Sequence, residues 1–197
     1  NIKKFREKSR ERFIQVDELP RFFKSLEVEE NEVARDYFYL SLYTGVRKGN
    51  ILSMKWSDVN FQSKEWRIPE TKNGDPLLIP LIDEAIDVLN NRKIGNDNLG
   101  LGDSWVFPSA TSKRGHFEEP KKVWKRVLNR ANISDLRIHD IRRTLGSYQA
   151  ITGSSLPIIG KSLGHKSTQA TQIYSRLNMD PVRQSLIGAV KYMKTNK

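Results

Sequence analysis

Apolar positions recur at helical spacing along most of this chain, and the exception is a short region near residues 59–81. Residues 17–26 place Leu19, Phe22, Phe23 and Leu26 on one side of a helix, with Pro20 in a first turn where proline fits. Asn31 is positioned to cap a second helix through Tyr43, with Glu32 and Asp36 near its positive end. Its apolar positions Val33, Tyr37, Phe38, Leu40 and Leu42 predict burial, and Gly45 stops it. Arg47 is then left at the mouth of a turn, ahead of a short helix over residues 49–54.

The period then changes. Residues 65–68 and 76–81 read as strands joined around Asn73-Gly74, a strong hairpin signal. A further strand at residues 59–61 would complete a three-stranded antiparallel sheet. Helical spacing returns over residues 83–94, with Ala85, Ile86, Leu89 and Ile94 expected to face inward. Residues 95–104 are polar and glycine-rich and read as a mobile loop. Residues 105–108 are too short to assign. Pro120 suits the first turn of a helix to about residue 130, with Val123, Trp124, Val127 and Leu128 as its apolar stripe. More helices are expected over residues 140–150, 156–163, 168–174 and 181–193; the last is amphipathic through Val182, Leu186, Ile187, Val190 and Met193. No period of 20–50 residues repeats, which argues against a solenoid. The fold class expected is α+β, a mostly helical single domain with a small antiparallel β-sheet.

With 197 residues the chain is long enough for one substantial core. Its formal charge of +11 predicts attraction to polyanions without saying which. The absence of cysteine removes disulfides, thiolate catalysis and thiolate metal sites, and fits a reducing compartment. No stretch approaches the roughly 20 apolar residues of a membrane span, so no membrane partner is expected. The chain opens on Asn1 without a signal peptide and reads as a fragment of a longer protein. Residues 1–12 carry Lys3, Lys4, Arg6, Lys8, Arg10 and Arg12 and read as a basic linker or arm.

Candidate chemistry concentrates late in the chain. His139-Asp140-Ile141-Arg142-Arg143 is followed by Leu163-Gly164-His165, and Tyr174 stands nine residues beyond. Guanidinium forks grip phosphate oxygens, imidazole moves protons near neutral pH, and a phenol can act as nucleophile. Together these suggest phosphoryl chemistry on a nucleic acid, carried by protein side chains. The three histidines are 23 and 26 residues apart, and neither an HExxH helix nor a Gly-Lys-Ser/Thr phosphate loop is present. No metal and no cofactor are expected.

These stretches, with residues 43–52 (Tyr-Thr-Gly-Val-Arg-Lys-Gly-Asn-Ile-Leu) and Thr71-Lys72-Asn73-Gly74, resemble the catalytic domain of the tyrosine recombinase superfamily, and within it a phage or integrative-element integrase. The resemblance spans residues 43–174 in the family's order. It implies that Arg47 and Arg142 clamp the non-bridging oxygens of a scissile phosphate, where charge builds in the transition state. Tyr174 would be the nucleophile, His139 and His165 the two active-site histidines, and Lys72 the general acid for the leaving 5′ oxygen. Successive helical residues point about 100° apart, so Arg143 cannot face the same phosphate as Arg142 and is left to a flanking phosphate or a carboxylate. Tyr148 is expected to pack within its helix, and Tyr192 lies beyond the family position. Asn50 departs from the pattern, since many members carry an acid there; an amide can accept one hydrogen bond from Arg47 but cannot pair bidentately.

Lys113 to Arg143 includes ten basic residues against four acidic ones. Lys113, Arg114, Lys121, Lys122, Lys125, Arg126 and Arg143 are candidate DNA-backbone contacts, with His116 read as a solvent or backbone contact beside them. The domains expected are a linker over 1–12, a catalytic domain over 13–180 and a terminal amphipathic helix and tail over 181–197. The reading is site-specific strand exchange through a 3′-phosphotyrosyl intermediate. Supercoil relaxation of the type IB topoisomerase kind, or a recombinase-derived DNA-binding protein with impaired catalysis, are the alternatives. The partners the resemblance implies are double-stranded DNA attachment sites and accessory DNA-bending proteins, and the location it implies is the cytoplasm of a bacterial host, nucleoid-associated when bound. A homo-tetramer is expected on DNA and a monomer for the isolated chain, with the terminal helix packing either on a neighbouring protomer or back on its own domain.

Overall fold

The computed structural model describes residues 10–70, 75–102 and 104–195. Helix α1 (Leu19–Glu27) begins with proline in its first turn. In α2 (Glu32–Thr44) the Asn31 side chain accepts the Ala34 N–H at 2.9 Å, satisfying one of the donors a helix start leaves open. Gly45, at φ +61°, ends that helix in the left-handed conformation. A short α3 (Lys48–Leu52) follows, then three antiparallel strands in sequence order: β1 (Val59–Asn60), β2 (Glu65–Ile68) and β3 (Leu77–Pro80). Trp66 opposes both Val59 and Ile79, so one face of the sheet buries Trp66, Ile68 and Ile79 while Arg67 and Leu78 face outward. The Asn73-Gly74 turn lies outside the described residues.

Helix α4 (Asp83–Asn98) runs four residues past the predicted end at Ile94 and occupies much of the stretch expected to be a loop. Tertiary contacts explain the extension. Arg92 is buried against Asp36 of α2 at 3.3 Å, and the buried Asn96 donates to the carbonyls of Trp105 and Val106. Periodicity cannot register such polar anchors. Ile94, expected inside, is exposed, whereas Ala85 and Leu89 are fully buried. Helix α5 (Lys121–Ala131) presents Val123, Trp124, Val127 and Leu128 inward as expected. Then come α6 (Ile138–Ile151), α7 (Leu156–Ser162), α8 (Thr168–Thr171), a 3₁₀ segment (Gln172–Leu177) and α9 (Asp180–Thr195).

The main core gathers around α2, which packs on α4 and α6, while α1 packs on α5. Trp124 is its aromatic centre: its ring lies 5.0 Å from Phe38 and 5.8 Å from Phe22, and its indole N–H donates to the Leu136 carbonyl at 3.0 Å. A second, smaller cluster of Ala150, Ile159, Leu163 and Tyr174 joins α6, α7 and the 3₁₀ segment. Helix α9 is different. None of its residues is buried, and Leu186, Ile187 and Met193 stand more than half exposed, so it does not fold back on its own domain. No helix among the described residues is long and apolar enough to cross a membrane.

The buried Glu29 ties the end of α1 to α5. It receives Arg126 and Arg130, while its own carboxylate also accepts the Asn31 N–H. Hydrogen bonds from Arg126 hold the Glu29 carboxyl down at about 2, against the opposing effect of burial. A carboxyl depressed by folding stabilises above its unfolded value near 4.3, and that contribution is lost as the pH falls toward 2. Glu29→Gln is therefore expected to cost about 2 kcal/mol at neutral pH. In urea unfolding over a pH series, the gap to wild type should close between about pH 4.5 and 2. A gap that stays constant with pH would show that the charge on Glu29 contributes nothing.

Candidate active site

Arg142 is charged, in the second turn of α6, and 7% exposed. Such burial demands acceptors for its N–H groups, and two backbone carbonyls supply them. Nη1 donates to the Gly45 carbonyl at 2.7 Å, and Nη2 donates to that of Leu163. The guanidinium thus binds the end of α2 to the end of α7. Position 45 favours glycine: its φ is positive, and a Cβ would lie 2.7 Å from Leu163 Cδ2 and 2.9 Å from Leu145 Cδ2, so both leucines would have to shift. Two residues on, Arg47 forms the N-cap of α3, half-buried. Burial and then the neighbouring charge of Arg47 lower the Arg142 pKa to about 10, which leaves it cationic at neutral pH.

Tyr174 is 3% exposed and lies in the 3₁₀ segment. Its ring packs against the backbone of α6 where Gly146 leaves room; a Cβ there would come within 2.6 Å of the ring Cζ and 2.8 Å of the hydroxyl. Burial raises the phenol pKa, while Arg142 and then Arg143 pull it down; burial wins. The guanidiniums alone do not produce a phenolate in the DNA-free protein.

His139, Arg142, Arg143, His165 and Tyr174 line one cleft of about 510 Å³. Arg47 lies outside its lining, but near enough for its positive charge to lower the pKa of Arg142, His139 and His165. His139 stands at the open rim; desolvation, then Arg143 and Arg142, keep its pKa low. Desolvation followed by Arg142 and Arg47 pushes His165 down to about 4. Both imidazoles are therefore neutral at pH 7. Nδ1 of His165 shares a hydrogen bond of 2.9 Å with the buried hydroxyl of Thr171. Among the described residues, no group of three His, Asp or Glu side chains is arranged to hold a metal ion.

Four of the six catalytic candidates thus share one cleft, and Arg47 acts on three of them through its charge; Lys72 lies outside the described residues. Arg143 takes the carboxylate rather than a free position, donating to Asp140 at 2.6 Å. Asp140 also accepts the Arg137 N–H at 2.9 Å and Arg10 Nε at 3.0 Å. The described end of the basic segment faces protein. Arg10 also pairs with Asp135, Glu11 with Arg176 of the Tyr174 segment, and Arg12 with Glu18. Arg126 is committed to Glu29, which removes it from the set of open phosphate contacts, while Lys113, Lys121, Lys122 and Lys125 are exposed. Arg114 is exposed and pairs loosely with Glu118 at 3.5 Å. His116 is buried, not a surface contact: its ring lies 4.9 Å from that of Trp105, and Nδ1 shares a hydrogen bond of 3.0 Å with the Phe117 carbonyl. Tyr148 packs as expected, edge-on to Phe13, with its hydroxyl donating to the Ile14 carbonyl. Asn50 makes no side-chain hydrogen bond to Arg47. Sequence reasoning missed Asp140 and Thr171. Asp140 stood within the run over residues 139–143 without a role, and Thr171 left no signal.

The phage integrase family model matches residues 12–180, and the chain belongs to that family. It is 30% identical over 174 residues to the prophage integrase IntF of Escherichia coli K12, covering 87% of this chain and 36% of that protein. It is 29% identical over 169 residues to the integrase of Salmonella phage P22, covering 80% and 43%. The chain thus spans less than half the length of these relatives. Among solved structures, the catalytic domain of bacteriophage HP1 integrase superposes with a TM-score of 0.66 at 18% identity, over 88% of this chain and 92% of that one. The Tn1549 transposon integrase, in complex with circular intermediate DNA, gives 0.72 at 15% identity, over 93% and 68%. These two show the shared fold.

The depressed imidazole of His165 has a direct readout. Its ring protons, followed by NMR, should titrate near pH 4 rather than near the ordinary 6.5. Because the unfolded chain takes up this proton first, stability should fall as the pH drops from about 6.5 toward 4. His165→Gln should flatten that part of the profile. A His165 titration at 6.5 in the folded protein would show that the cleft does not exclude charge there.

Proposed function

We propose that this chain is the catalytic part of a site-specific DNA recombinase that breaks and rejoins strands through a covalent 3′-phosphotyrosyl intermediate. The observation that carries the reading is the buried Tyr174 beside Arg142 in a cleft shared with His139 and His165. The Tyr174 hydroxyl attacks phosphorus, the bond to the 5′ oxygen breaks, and a free 5′ hydroxyl leaves. Neutral His139 accepts the phenol proton, and Arg47 and Arg142 hold the two non-bridging oxygens as charge builds on them. The incoming phosphate also supplies the anion that the cluster of cations lacks in the free protein. Rejoining runs the same steps backward, with the energy of the broken bond kept in the phosphotyrosine.

Lys72 delivers the proton to the leaving 5′ oxygen. Supporting this, Asp75, just beyond that hairpin turn, pairs at 2.5 Å with Lys166, the neighbour of His165. The exposed Lys113, Lys121, Lys122 and Lys125 track the DNA backbone, so binding weakens steeply with salt. The unpacked apolar face of α9, with Leu186, Ile187 and Val190, docks on a neighbouring protomer when a tetramer forms on paired DNA sites. The isolated chain is monomeric.

Incubation of the full-length protein with a nicked suicide substrate carrying its attachment core tests this reading. A denaturation-resistant adduct through Tyr174 to a 3′ phosphate is expected without magnesium or ATP, and none from Tyr174→Phe. Lys72→Ala should cleave slowly, and recover on a 5′-bridging phosphorothiolate whose leaving group needs no acid. An adduct mapped to a serine, or cleavage that strictly requires a divalent metal, would sink the mechanism.

A further inference from the structure

We propose that Thr171 is a positioning residue that sets the tautomer of His165, holding the proton on Nε2 so that this nitrogen can donate to a non-bridging phosphate oxygen. The inference rests on the strand-exchange reading for its purpose, but not for its geometry. Thr171 is 2% exposed, and its Oγ1 lies 2.9 Å from Nδ1 of His165. That contact is the one hydrogen bond its hydroxyl makes among the described residues.

A hydroxyl can donate or accept, and a neutral imidazole carries one proton on one of two nitrogens. If Nδ1 carried it, Thr171 would accept, and its own hydroxyl proton would be buried without an acceptor. Leaving a buried donor unpaired costs more than an ordinary hydrogen bond contributes. If Thr171 donates, Nδ1 accepts and every buried proton is satisfied. The ring proton then sits on Nε2, the nitrogen not engaged by Thr171, on a ring that lines the cleft with Arg142 and Tyr174. The alternative tautomer would present a lone pair to an anionic oxygen, which repels it.

The placement in the chain gives this contact a second consequence. Thr171 ends α8, and Tyr174 follows three residues later in the 3₁₀ segment. The backbone of His165 is held separately, its N–H donating to the Gly160 carbonyl at 2.8 Å. One short element therefore carries both the nucleophile and the hydroxyl that orients the histidine, so the two are registered against each other.

The test compares wild type with Thr171→Val, which keeps the branched shape and loses the hydroxyl, and Thr171→Ser, which keeps the hydroxyl. Long-range nitrogen–proton NMR on histidine-labelled, DNA-free protein at pH 7 reads the tautomer directly. Wild type and T171S should show the Nε2–H pattern, and T171V a mixture. In the suicide-substrate assay with full-length protein, T171V should cleave about tenfold more slowly, with T171S recovering most of the rate. An Nδ1–H pattern in wild type, or a full Nε2–H pattern retained by T171V, overturns the proposal; the wild-type spectrum decides even where T171V fails to fold. If wild type forms no DNA adduct at all, the functional reading fails, while the tautomer comparison still decides the role of Thr171.

Discussion

One buried cation, Arg142, organises the cleft of this molecule. Arg142 enters the interior because two carbonyls, those of Gly45 and Leu163, receive its N–H groups. Each carbonyl belongs to a helix end, where such groups otherwise lack a partner. The first is followed by Arg47 and the second by His165. One guanidinium therefore sets the spacing of three functional side chains that are distant in sequence, and Gly146, one helical turn beyond Arg142, opens the place for Tyr174. The residue assigned to hold the phosphate is also the tie on which the cleft depends.

Burial then decides protonation. The same desolvation that raises the Tyr174 phenol keeps His139 and His165 neutral, and the charges of the arginines reinforce the effect on both histidines. The free site is a concentration of positive charge with a protonated phenol and two neutral imidazoles. Such a site is poised for an anion. A phosphodiester would neutralise the arginines' mutual repulsion and bring the reacting phosphorus at once, which ties nucleophile activation to substrate binding.

Much of this was legible in the residue pattern. The capped α2, its glycine stop, the apolar stripe of α5 and the three-stranded sheet follow from local rules of capping and alternation. The catalytic candidates were legible because each stands in a short motif. What escaped was decided by partners far along the chain. Helix α4 continues because Asn96 and Arg92 find acceptors on other segments, and His116 is buried with Trp105 packed against it. Arg126 looked like one more cation on an exposed face until Glu29 claimed it. Asp140 and Thr171 have no signature of their own, since each acts through a neighbour.

The central claim is that Arg142 supports the two segments flanking it, quite apart from any phosphate. Hydrogen–deuterium exchange on the DNA-free Arg142→Lys protein tests this most directly, because an ammonium cannot span both carbonyls as the guanidinium fork does. The amides of Val46, Arg47, Gly164 and His165 should exchange faster than in wild type, while those of the sheet and of α5 stay protected. Unchanged exchange at both segments in a folded variant would contradict the account and reduce Arg142 to a ligand for the substrate alone.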